Sequence, residues 1–176
     1  MSPKQVLAIC GSVREHSANK DLLSAIRLLY PGIIALQLYE GLETLPHFNP
    51  DLLPDHIPAA ALDFIDRIKT TDAIIISTPE YAMGLPGVLK DAMDWTVAAA
   101  AFSGKPVMAI TASTSGTKAH ASLLGVLEVL EAIMTPDTQL LIPFIKTKVN
   151  KEGQITDPAT LQQVKTGVQA LLQLIA

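Results

Sequence analysis

The sequence is poor in cysteine and in clustered positive charge. Cys10 is the one cysteine among 176 residues, and 13 lysines and arginines against 17 aspartates and glutamates leave a formal net charge of −4. A lone cysteine excludes an internal disulfide and is compatible with a reducing compartment. Because nucleic-acid affinity depends on neutralisation of phosphates by basic side chains, we expect no nucleic-acid partner.

Long hydrophobic runs are also missing. The longest apolar stretch, residues 97–102, is far shorter than a bilayer requires. The apolar run near the N-terminus is short and becomes polar at Ser12, unlike a signal peptide. We therefore expect a cytoplasmic protein with no membrane partner.

Several common catalytic and ligand-binding signatures are absent. No Gly-Lys-Ser/Thr follows Gly11, and the second and third glycines of a dinucleotide fingerprint are missing. The histidines do not have the spacing of a metal site or of a nucleophile–base pair. The sequence therefore predicts no metal site and no catalytic side chain. The four histidines are His16, His47, His56 and His120.

What the chain does have is a regular alternation of apolar runs with stretches of helical period. Hydrophobic residues make up 49% of the chain and charged residues 17%, which is a globular composition. The order βαβαβαβαβα predicts right-handed crossovers and an α/β fold, a doubly wound five-stranded parallel sheet with helices on both faces. With no linker or repeat, residues 1–176 are predicted to form a single domain. The predicted strands cover residues 6–10, 33–39, 72–77, 105–111 and 139–142, and the predicted helices cover residues 19–30, 59–69, 88–99 and 159–175, with a fourth helix carrying Leu123 to Ile133.

Helical spacing also predicts which side chains face the core. We expect Leu29 in the first helix, Leu62 in the second and Ile133 in the fourth to point inward with their apolar neighbours. Residues 41–58 form a long, proline-rich loop, and residues 45–51 within it are predicted to lack regular structure. Loops of that length inside a compact domain are usually functional.

Polar loops follow three of the predicted strands, at residues 11–19, 78–87 and 112–117. In doubly wound sheets, ligands bind beyond the carboxyl ends of the strands, at the point where the strand order reverses. We therefore expect the three loops to converge on one ligand site.

The first loop has residues that suit a phosphate group. Gly11 permits a sharp turn and a close backbone approach. Ser12, Ser17 and Asn19 offer short polar side chains, and the free N–H groups of the following helix carry the positive end of its dipole. Arg14 adds a planar cation suited to an oxyanion. The residues alone equally allow Ser17 or Asn19 to be an ordinary helix cap and Arg14 to be solvated.

The second loop is rich in proline and glycine, and the third in small polar residues. Pro79 stiffens the second loop and Gly84 frees its backbone, so that it could present N–H and C=O groups to a flat heterocycle. Tyr81 and Met83 could cover the ring of such a ligand. The alternative is an ordinary connection in which Tyr81 packs on the protein. Residues 113–116 have a composition found in many turns.

Two separated motifs carry a resemblance to a known family. Residues 11–19, GSVREHSAN, resemble the GSxRxxSxN segment of the NADPH-dependent FMN reductase family, which includes chromate, quinone and azo-dye reductases. Residues 78–81, TPEY, followed by residues 86–95, PGVLKDAMDW, resemble its second signature. Residues 45–52, LPHFNPDL, are similar to the segment before its second helix.

The resemblance implies a flavodoxin-like fold that binds FMN, with NADPH or NADH as the electron donor. Two departures concern the ring end of such a site. Ala82 stands where the family often has Asn, and Thr117-Lys118 stand where it often has a Gly-Gly pair. By position, the implied FMN contacts are Ser12, Arg14, Ser17, Ala18 and Asn19 at the phosphate, Pro79, Glu80, Tyr81, Ala82, Met83 and Gly84 at the isoalloxazine ring, and Ser113, Ser115 and Gly116 on its other side.

The implied function is an FMN-dependent NAD(P)H oxidoreductase. A hydride would pass from the nicotinamide to flavin N5, and electrons would then pass to a small-molecule acceptor such as a quinone, free flavin, azo dye or metal oxyanion. In such a reaction the cofactor carries the chemistry. The alternative is a non-enzymatic flavin-binding electron-transfer module.

The third predicted helix carries an unusually large apolar surface. Met93, Trp95 and residues 96–102 offer more apolar area than one sheet face needs. We therefore expect a homodimer or homotetramer assembled through this helix, as the resemblance implies. The alternative is a helix buried within the monomer.

Overall fold

The computed structural model describes residues 2–175, in which five parallel strands form a sheet. The strand order is β2-β1-β3-β4-β5, which is the flavodoxin-like order of a doubly wound sheet. The predicted fold class is confirmed. The strands are β1 Lys4–Cys10, β2 Ile34–Leu38, β3 Ala73–Thr78, β4 Val107–Ser113 and β5 Gln139–Pro143.

Helices cover both faces of the sheet. The first and last helices pack on one face and the other three on the opposite face. Of the helices within residues 2–175, none combines the length and the apolar character needed to cross a bilayer. The helices are α1 Ala18–Leu29, α2 Ala59–Thr70, α3 Gly87–Trp95, α4 Thr117–Val129 and α5 Pro158–Leu174.

The central strand β3 explains why its sequence is apolar without interruption. Ile75 points toward α1 and α5, whereas Ile74 and Ile76 point toward α2, α3 and α4. Successive side chains of a strand alternate between the two faces of a sheet. Because both faces are covered by helices, every residue of β3 is buried.

Successive strands are added on one side of β1 up to β2 and on its other side from β3 onward, so the strand order reverses between the neighbours β1 and β3. At their carboxyl ends Cys10 pairs with Ser77, and in the next ladder Thr78 pairs with Thr111 of β4. The loops that follow β1, β3 and β4 therefore begin side by side. This register places the three predicted loops at one edge of the sheet.

Gly11 is required for close packing as well as for the predicted turn. The chain bends at Gly11, without a left-handed φ. A Cβ atom on Gly11 would lie 2.3 Å from Thr78 Oγ1 and 3.0 Å from Leu89 Cδ2. The Gly11 N–H donates to the Ser77 carbonyl at 2.9 Å. Gly11 therefore allows the end of β1 to lie against β3.

α3 ends at Trp95 and not at residue 99 as predicted. The Met93 carbonyl accepts from both the buried Thr96 hydroxyl at 2.6 Å and the Thr96 N–H at 3.1 Å, which closes the last turn of the helix. Ala100 has a left-handed φ of 46°, and Phe102 is fully buried. The turn that buries Phe102 overrides the high helix propensity of the alanines around it.

Met93 and Trp95 do not form the predicted oligomer surface, because both are buried within the monomer. The Trp95 indole N–H donates to the Pro46 carbonyl at 2.9 Å, and its ring packs edge-on against Phe48 with centroids 5.1 Å apart. The alternative interpretation, a helix buried within the monomer, therefore holds for these two residues. The contacts of Trp95 hold the segment before α2 against α3.

Three side chains predicted to face the core are exposed. Leu62 is 50% exposed because the fully buried Phe64 takes the core position of α2. Leu29 lies at the last residue of α1, where the helix leaves the sheet. Ile133 lies beyond the end of α4 and forms a bridge with Pro106 at the start of β4. The helical period identified these segments as helices, but it did not identify the last residue of each that faces the core.

Residues 41–58 contain two short 3₁₀ turns, Leu42–Thr44 and Pro50–Leu52. The second turn includes Pro50 and Asp51, so the prediction that residues 45–51 lack regular structure is wrong for those two residues. Asn49 caps the second turn by accepting a hydrogen bond from the Asp51 N–H at 3.0 Å. Proline at the first position of that turn removes an N–H that would have no partner.

Candidate functional site

A cavity of about 350 Å³ lies at the sheet edge where β1, β3, β4 and β5 end. Its volume is within the range of roughly 300–1,000 Å³ that is usual for small-molecule sites. The three predicted loops all reach it. Of the residues that the resemblance implies, the structure brings together Ser12, Arg14, Ser17, Ala18, Asn19, Pro79, Glu80, Tyr81 and Ser113 in the cavity wall. It leaves Ala82, Met83, Gly84, Ser115 and Gly116 outside the wall.

The N-terminus of α1 opens on this cavity. Ser17 is the N-cap residue, but its side chain makes no capping hydrogen bond. The N–H groups of Ala18, Asn19 and Lys20 have no partner within residues 2–175. Free N–H groups at a helix N-terminus, together with the helix dipole, attract anions. Ser17 therefore does not fill the position that an anion would take.

Ser12 and Arg14 border the same end of the cavity. Ser12 is buried, and its hydroxyl lies 3.4 Å from the Tyr81 hydroxyl and accepts a weak hydrogen bond from the Arg14 N–H at 3.5 Å. The Arg14 side chain is exposed and has no ion-pair partner in the part of the chain that the structure describes. An unpaired guanidinium beside free N–H groups makes this end of the cavity positive.

Asn19 has a structural task that its motif does not reveal. Its side-chain N–H donates to the Ala112 carbonyl at 3.0 Å, and its side-chain oxygen accepts from the Ser77 hydroxyl at 2.8 Å. The amide thus joins α1 to β3 and β4 beneath the loop. One side-chain N–H and the backbone N–H of Asn19 have no partner among residues 2–175, so its contact with a phosphate stays a prediction.

The second loop forms a tight hairpin. Tyr81 and Gly84 exchange two backbone hydrogen bonds of 3.0 Å, and the two residues between them, Ala82 and Met83, have left-handed φ values of 49° and 62°. These values define the type I′ turn, for which Asn-Gly is the preferred pair. Met83 is 70% exposed at the tip of the hairpin. The Asn that the family often has at position 82 therefore suits the backbone of this turn.

Glu80 is partly buried in the cavity wall and hydrogen-bonds to the start of α4. One of its carboxylate oxygens accepts hydrogen bonds from the Lys118 and Ala119 N–H groups, both at 2.9 Å. Its own N–H donates to the Ser113 hydroxyl at 3.2 Å. Glu80 therefore caps α4 from a distant loop and joins the second loop to the third.

The third loop contributes Ser113 to the cavity, whereas Ser115 and Gly116 serve the start of α4. Gly116 is the N-cap of α4 with a left-handed φ of 91°. A Cβ atom there would lie 3.0 Å from both Leu141 Cδ1 and Thr111 Cγ2. Both the conformation and the space therefore require glycine at this position.

A fourth wall, which the sequence analysis missed, comes from the loop after β5. Phe144, Lys146 and Thr147 line the cavity together with the buried Ile145. The available signal was topological, because the fifth parallel strand must end at the same sheet edge as the other four. The loop has no recognisable motif, so its composition alone did not point to it.

The histidines have separate surroundings. His16 lines the cavity, whereas His47 Nδ1 lies 2.7 Å from an Asp91 carboxylate oxygen on α3. His120 is half-buried with its Nδ1 3.0 Å from the Thr111 hydroxyl, and burial lowers its pKa. Within residues 2–175, no group of three or more His, Cys, Asp and Glu side chains is arranged to hold a metal ion.

Cys10 is buried at the end of β1, and burial raises the pKa of its thiol. A thiol that is held protonated is a poor nucleophile. Cys10 belongs to the core on the side of the sheet that α1 and α5 cover.

Comparison with known proteins assigns these loops to a family. The model of the NADPH-dependent FMN reductase family matches residues 5–147, from β1 to the turn after β5. The chain belongs to the NADPH-dependent FMN reductase family. The match includes all four loops that form the cavity, so the family and the cavity concern the same part of the chain.

Similar members of this family are reductases. The chain is 32% identical to NADH:(hydroxy)cinnamate reductase subunit CrdA of Vibrio ruber, over 90% of this chain and 80% of the relative. It is 31% identical to an NAD(P)H-dependent FMN reductase of Pseudomonas aeruginosa, over 95% and 92% of the two chains. Its fold matches the flavoenzyme NAD(P)H:(acceptor) oxidoreductase FerB of Paracoccus denitrificans with a TM-score of 0.83 and 30% identity, over 98% and 97% of the two chains.

The positive end of the cavity in this chain suits the phosphate of FMN, the cofactor in the family's name. The two helix N-termini beside the cavity differ in one respect. That of α4 is filled by the Glu80 carboxylate, whereas that of α1 has free N–H groups next to Arg14. A phosphate monoester would satisfy those donors. The protein thus keeps one of its two helix ends open to an anion.

Proposed function

We propose that this chain binds FMN in the cavity and acts as an NAD(P)H-dependent oxidoreductase that reduces a small-molecule acceptor such as a quinone. The observation that carries the proposal is the open N-terminus of α1 beside Arg14, in a cavity whose walls come from the family motifs. When bound, FMN would supply a hydride acceptor at N5 and an electron relay to the second substrate.

At the positive end, the protein would hold the phosphate. The Ala18, Asn19 and Lys20 N–H groups and the Arg14 guanidinium are the donors available there. The Ser12 and Ser17 hydroxyls line the same end and can donate to an oxygen. Because the Asn19 amide fixes the start of α1 to β3 and β4, these donors are held in place before a ligand arrives.

At the other end, the second and third loops would border the isoalloxazine ring. Pro79, Tyr81 and Ser113 line the cavity there. Tyr81 is 43% exposed and Met83 is 70% exposed, so both retain surface with which to cover a flat apolar ligand. We propose that the hairpin at Ala82, Met83 and Gly84 borders the ring edge, and that Ser115 and Gly116 act by shaping the third loop.

The protein supplies position and polarity, and no side chain is assigned a proton transfer. Glu80 is the one carboxylate in the cavity wall, and both of its short hydrogen bonds are made to α4. His16 lies at the positive end among the phosphate donors. We therefore propose no catalytic acid, base or nucleophile from this chain.

The relatives indicate the class of acceptor. One relative is a (hydroxy)cinnamate reductase subunit, and another is a quinone reductase of Escherichia coli that is 27% identical over 99% of this chain. Quinones are therefore the first acceptors to test, followed by free flavin, azo dyes and metal oxyanions. A flavin-binding electron-transfer module remains the second candidate, because the same cavity would serve it.

The proposal is tested on the purified protein. We expect a flavin absorbance spectrum as isolated or after addition of FMN, and release of FMN on heating. NADPH or NADH oxidation should then depend on an added benzoquinone. A protein that binds FMN but oxidises neither nucleotide with any acceptor would favour the electron-transfer module, and a protein that takes up no FMN would refute the proposal.

We also propose that the chain works in the cytoplasm and assembles as a homodimer or homotetramer. A single buried cysteine is compatible with a reducing compartment. Val97 after α3 and Val129 at the end of α4 are 54% and 79% exposed, and they border a shared groove. Sedimentation velocity at micromolar concentration tests the assembly, and a purely monomeric profile would refute it.

A further inference from the structure

We infer that Lys146, in the loop between β5 and α5, provides a second cation for the phosphate of FMN. Neither of the two family motifs contains Lys146, because the motifs end at residues 19 and 95 whereas Lys146 follows β5. The inference rests on the proposed function, since it concerns the same cavity. Three observations support it: the loop is fixed in place, its backbone is unusual, and its lysine has no partner among the residues that the structure describes.

The loop is held in place on both sides of Lys146. Ile145 is 4% exposed and belongs to the core between the sheet and the layer of α1 and α5. The Thr147 hydroxyl and N–H donate to the Phe144 carbonyl at 2.9 and 3.0 Å, closing the 3₁₀ turn Ile145–Thr147. The Phe144 N–H donates to the Thr114 carbonyl of the third loop at 3.3 Å. Lys146 therefore projects from a short turn that is anchored to the core and to the cavity wall.

The backbone of this loop is unusual at the residue that begins the turn. Phe144 has a left-handed φ of 56° and is 62% exposed. Bulky residues rarely adopt that conformation, and an exposed aromatic side chain gains little from burial in return. Such conformations cluster at ligand sites. Here the left-handed residue turns the chain so that Phe144, Lys146 and Thr147 all border the cavity.

Lys146 is free to contact a ligand. Its side chain makes no hydrogen bond or ion pair with any other residue among 2–175. The single carboxylate in the cavity wall belongs to Glu80, and one of its oxygens accepts hydrogen bonds from two N–H groups of α4. The 3₁₀ turn that carries Lys146 packs against α1, the helix whose N-terminus is open.

The charge of the ligand leaves room for a second cation. A phosphate monoester carries a charge of about −1.5 to −2 at neutral pH. Arg14 supplies one positive charge, and the helix N-terminus adds the equivalent of about half a charge. These two sources match the smaller phosphate charge, whereas for the full dianion about half a charge has no counter-charge in the site. Lys146 would offset that remaining charge.

The test compares FMN with riboflavin, which lacks the phosphate. Apo-protein is titrated with each ligand, and quenching of flavin fluorescence gives the two dissociation constants. Lys146→Met removes the charge and keeps the length of the side chain. Lys146→Arg keeps the charge, and Lys165→Met makes the same change in net charge on the exposed face of α5.

We expect Lys146→Met to weaken FMN binding by about fivefold at low ionic strength and to leave riboflavin binding unchanged, and the loss should shrink in high salt because the contact is exposed to solvent. Lys146→Arg should restore most of the FMN affinity, and Lys165→Met should have no effect. An unchanged ratio of FMN to riboflavin affinity in Lys146→Met would overturn the inference, as would an equal loss for both ligands. If the wild-type protein binds no FMN, the proposed function fails and this inference fails with it.

Discussion

Among single residues, Arg14 has the most direct expected effect. Its guanidinium is exposed at the positive end of the cavity, beside the free N–H groups of α1. Arg14→Ala should weaken FMN binding by about 1.5–3 kcal/mol, the scale of a hydrogen bond to a charged group. Titration of the apo-protein with FMN measures this loss. Arg27→Ala, at the opposite end of α1, is the matched control and should bind FMN like the wild type, and an Arg14→Ala protein with unchanged affinity would refute the role of Arg14.

His120 gives the protein a pH-dependent stability. Burial lowers its pKa, so the folded state disfavours the proton that the unfolded state accepts. The free energy of unfolding should therefore decrease as the pH falls from the usual histidine pKa of about 6.5 through the lower folded value. His120→Asn keeps a partner for the Thr111 hydroxyl and removes the titration. Urea unfolding at pH 7.5 and pH 5.5 should show a smaller decrease for the variant, and equal decreases would contradict this assignment.

The sequence could place some site residues and not others for a physical reason. Ser12, Arg14 and Ser17 directly follow β1, so strand order alone brings them to the cavity. Lys146 reaches it through the left-handed turn at Phe144, and no residue pattern announces that turn because phenylalanine disfavours it. Motifs identify residues that follow strands, but they do not identify residues delivered by unusual backbone conformations.

Among the elements, α4 and the hairpin after β3 depend on each other through Glu80. Glu80→Ala should lower the free energy of unfolding by about 1–2 kcal/mol, because two N–H groups at the start of α4 lose their acceptor. Glu80→Gln should lose less, since the amide oxygen can still accept. Chemical denaturation measures both variants.

The control for this prediction lies on the same helix. Glu128→Ala changes an exposed carboxylate near the C-terminus of α4, where the dipole disfavours negative charge, so it should not destabilise the protein. Equal destabilisation by Glu80→Ala and Glu128→Ala would contradict the capping role of Glu80.

Helix and strand identities were predictable, whereas their ends were not. Apolar periodicity located all five helices, because burial against the sheet selects that pattern. The end of α3 at Trp95 depends on the Thr96 hydroxyl and on the burial of Phe102, which are tertiary effects. The hairpin at Ala82 and Met83 likewise lacks the Asn-Gly pair that signals a type I′ turn.

For the whole molecule, Gly11 lies where the end of β1 packs against the end of β3, the two neighbouring strands at the centre of the switch in strand order. Gly11→Ala should lower the free energy of unfolding by about 1–3 kcal/mol, the usual effect of overpacking, because its Cβ would lie 2.3 Å from Thr78 Oγ1. The control is Gly125→Ala in α4, where an added Cβ meets no atom within 4 Å and should stabilise the helix by roughly 0.5–1 kcal/mol. Denaturant unfolding that places both variants on the same side of the wild type would contradict this account.

The architecture of the whole sheet followed from the alternation of strands and helices, since parallel strands with right-handed crossovers allow few arrangements. The cavity followed from the same rule, because the carboxyl ends of parallel strands meet at one edge. The rule does not predict which side chains at that edge are hydrogen-bonded to the protein itself. Asn19 and Glu80 both occupy motif positions, yet the Asn19 amide and one Glu80 carboxylate oxygen are hydrogen-bonded to the protein.

The two hydrogen bonds that Glu80 accepts from α4 also provide a way to measure motion of the second loop. The Lys118 and Ala119 amide protons are shielded from deuterium only while the distant hairpin stays closed against them. Their exchange rates, followed by NMR spectroscopy, should therefore record how often the hairpin beside the proposed flavin ring opens. A ligand that stacks against Tyr81 would slow both amides together, although it touches neither.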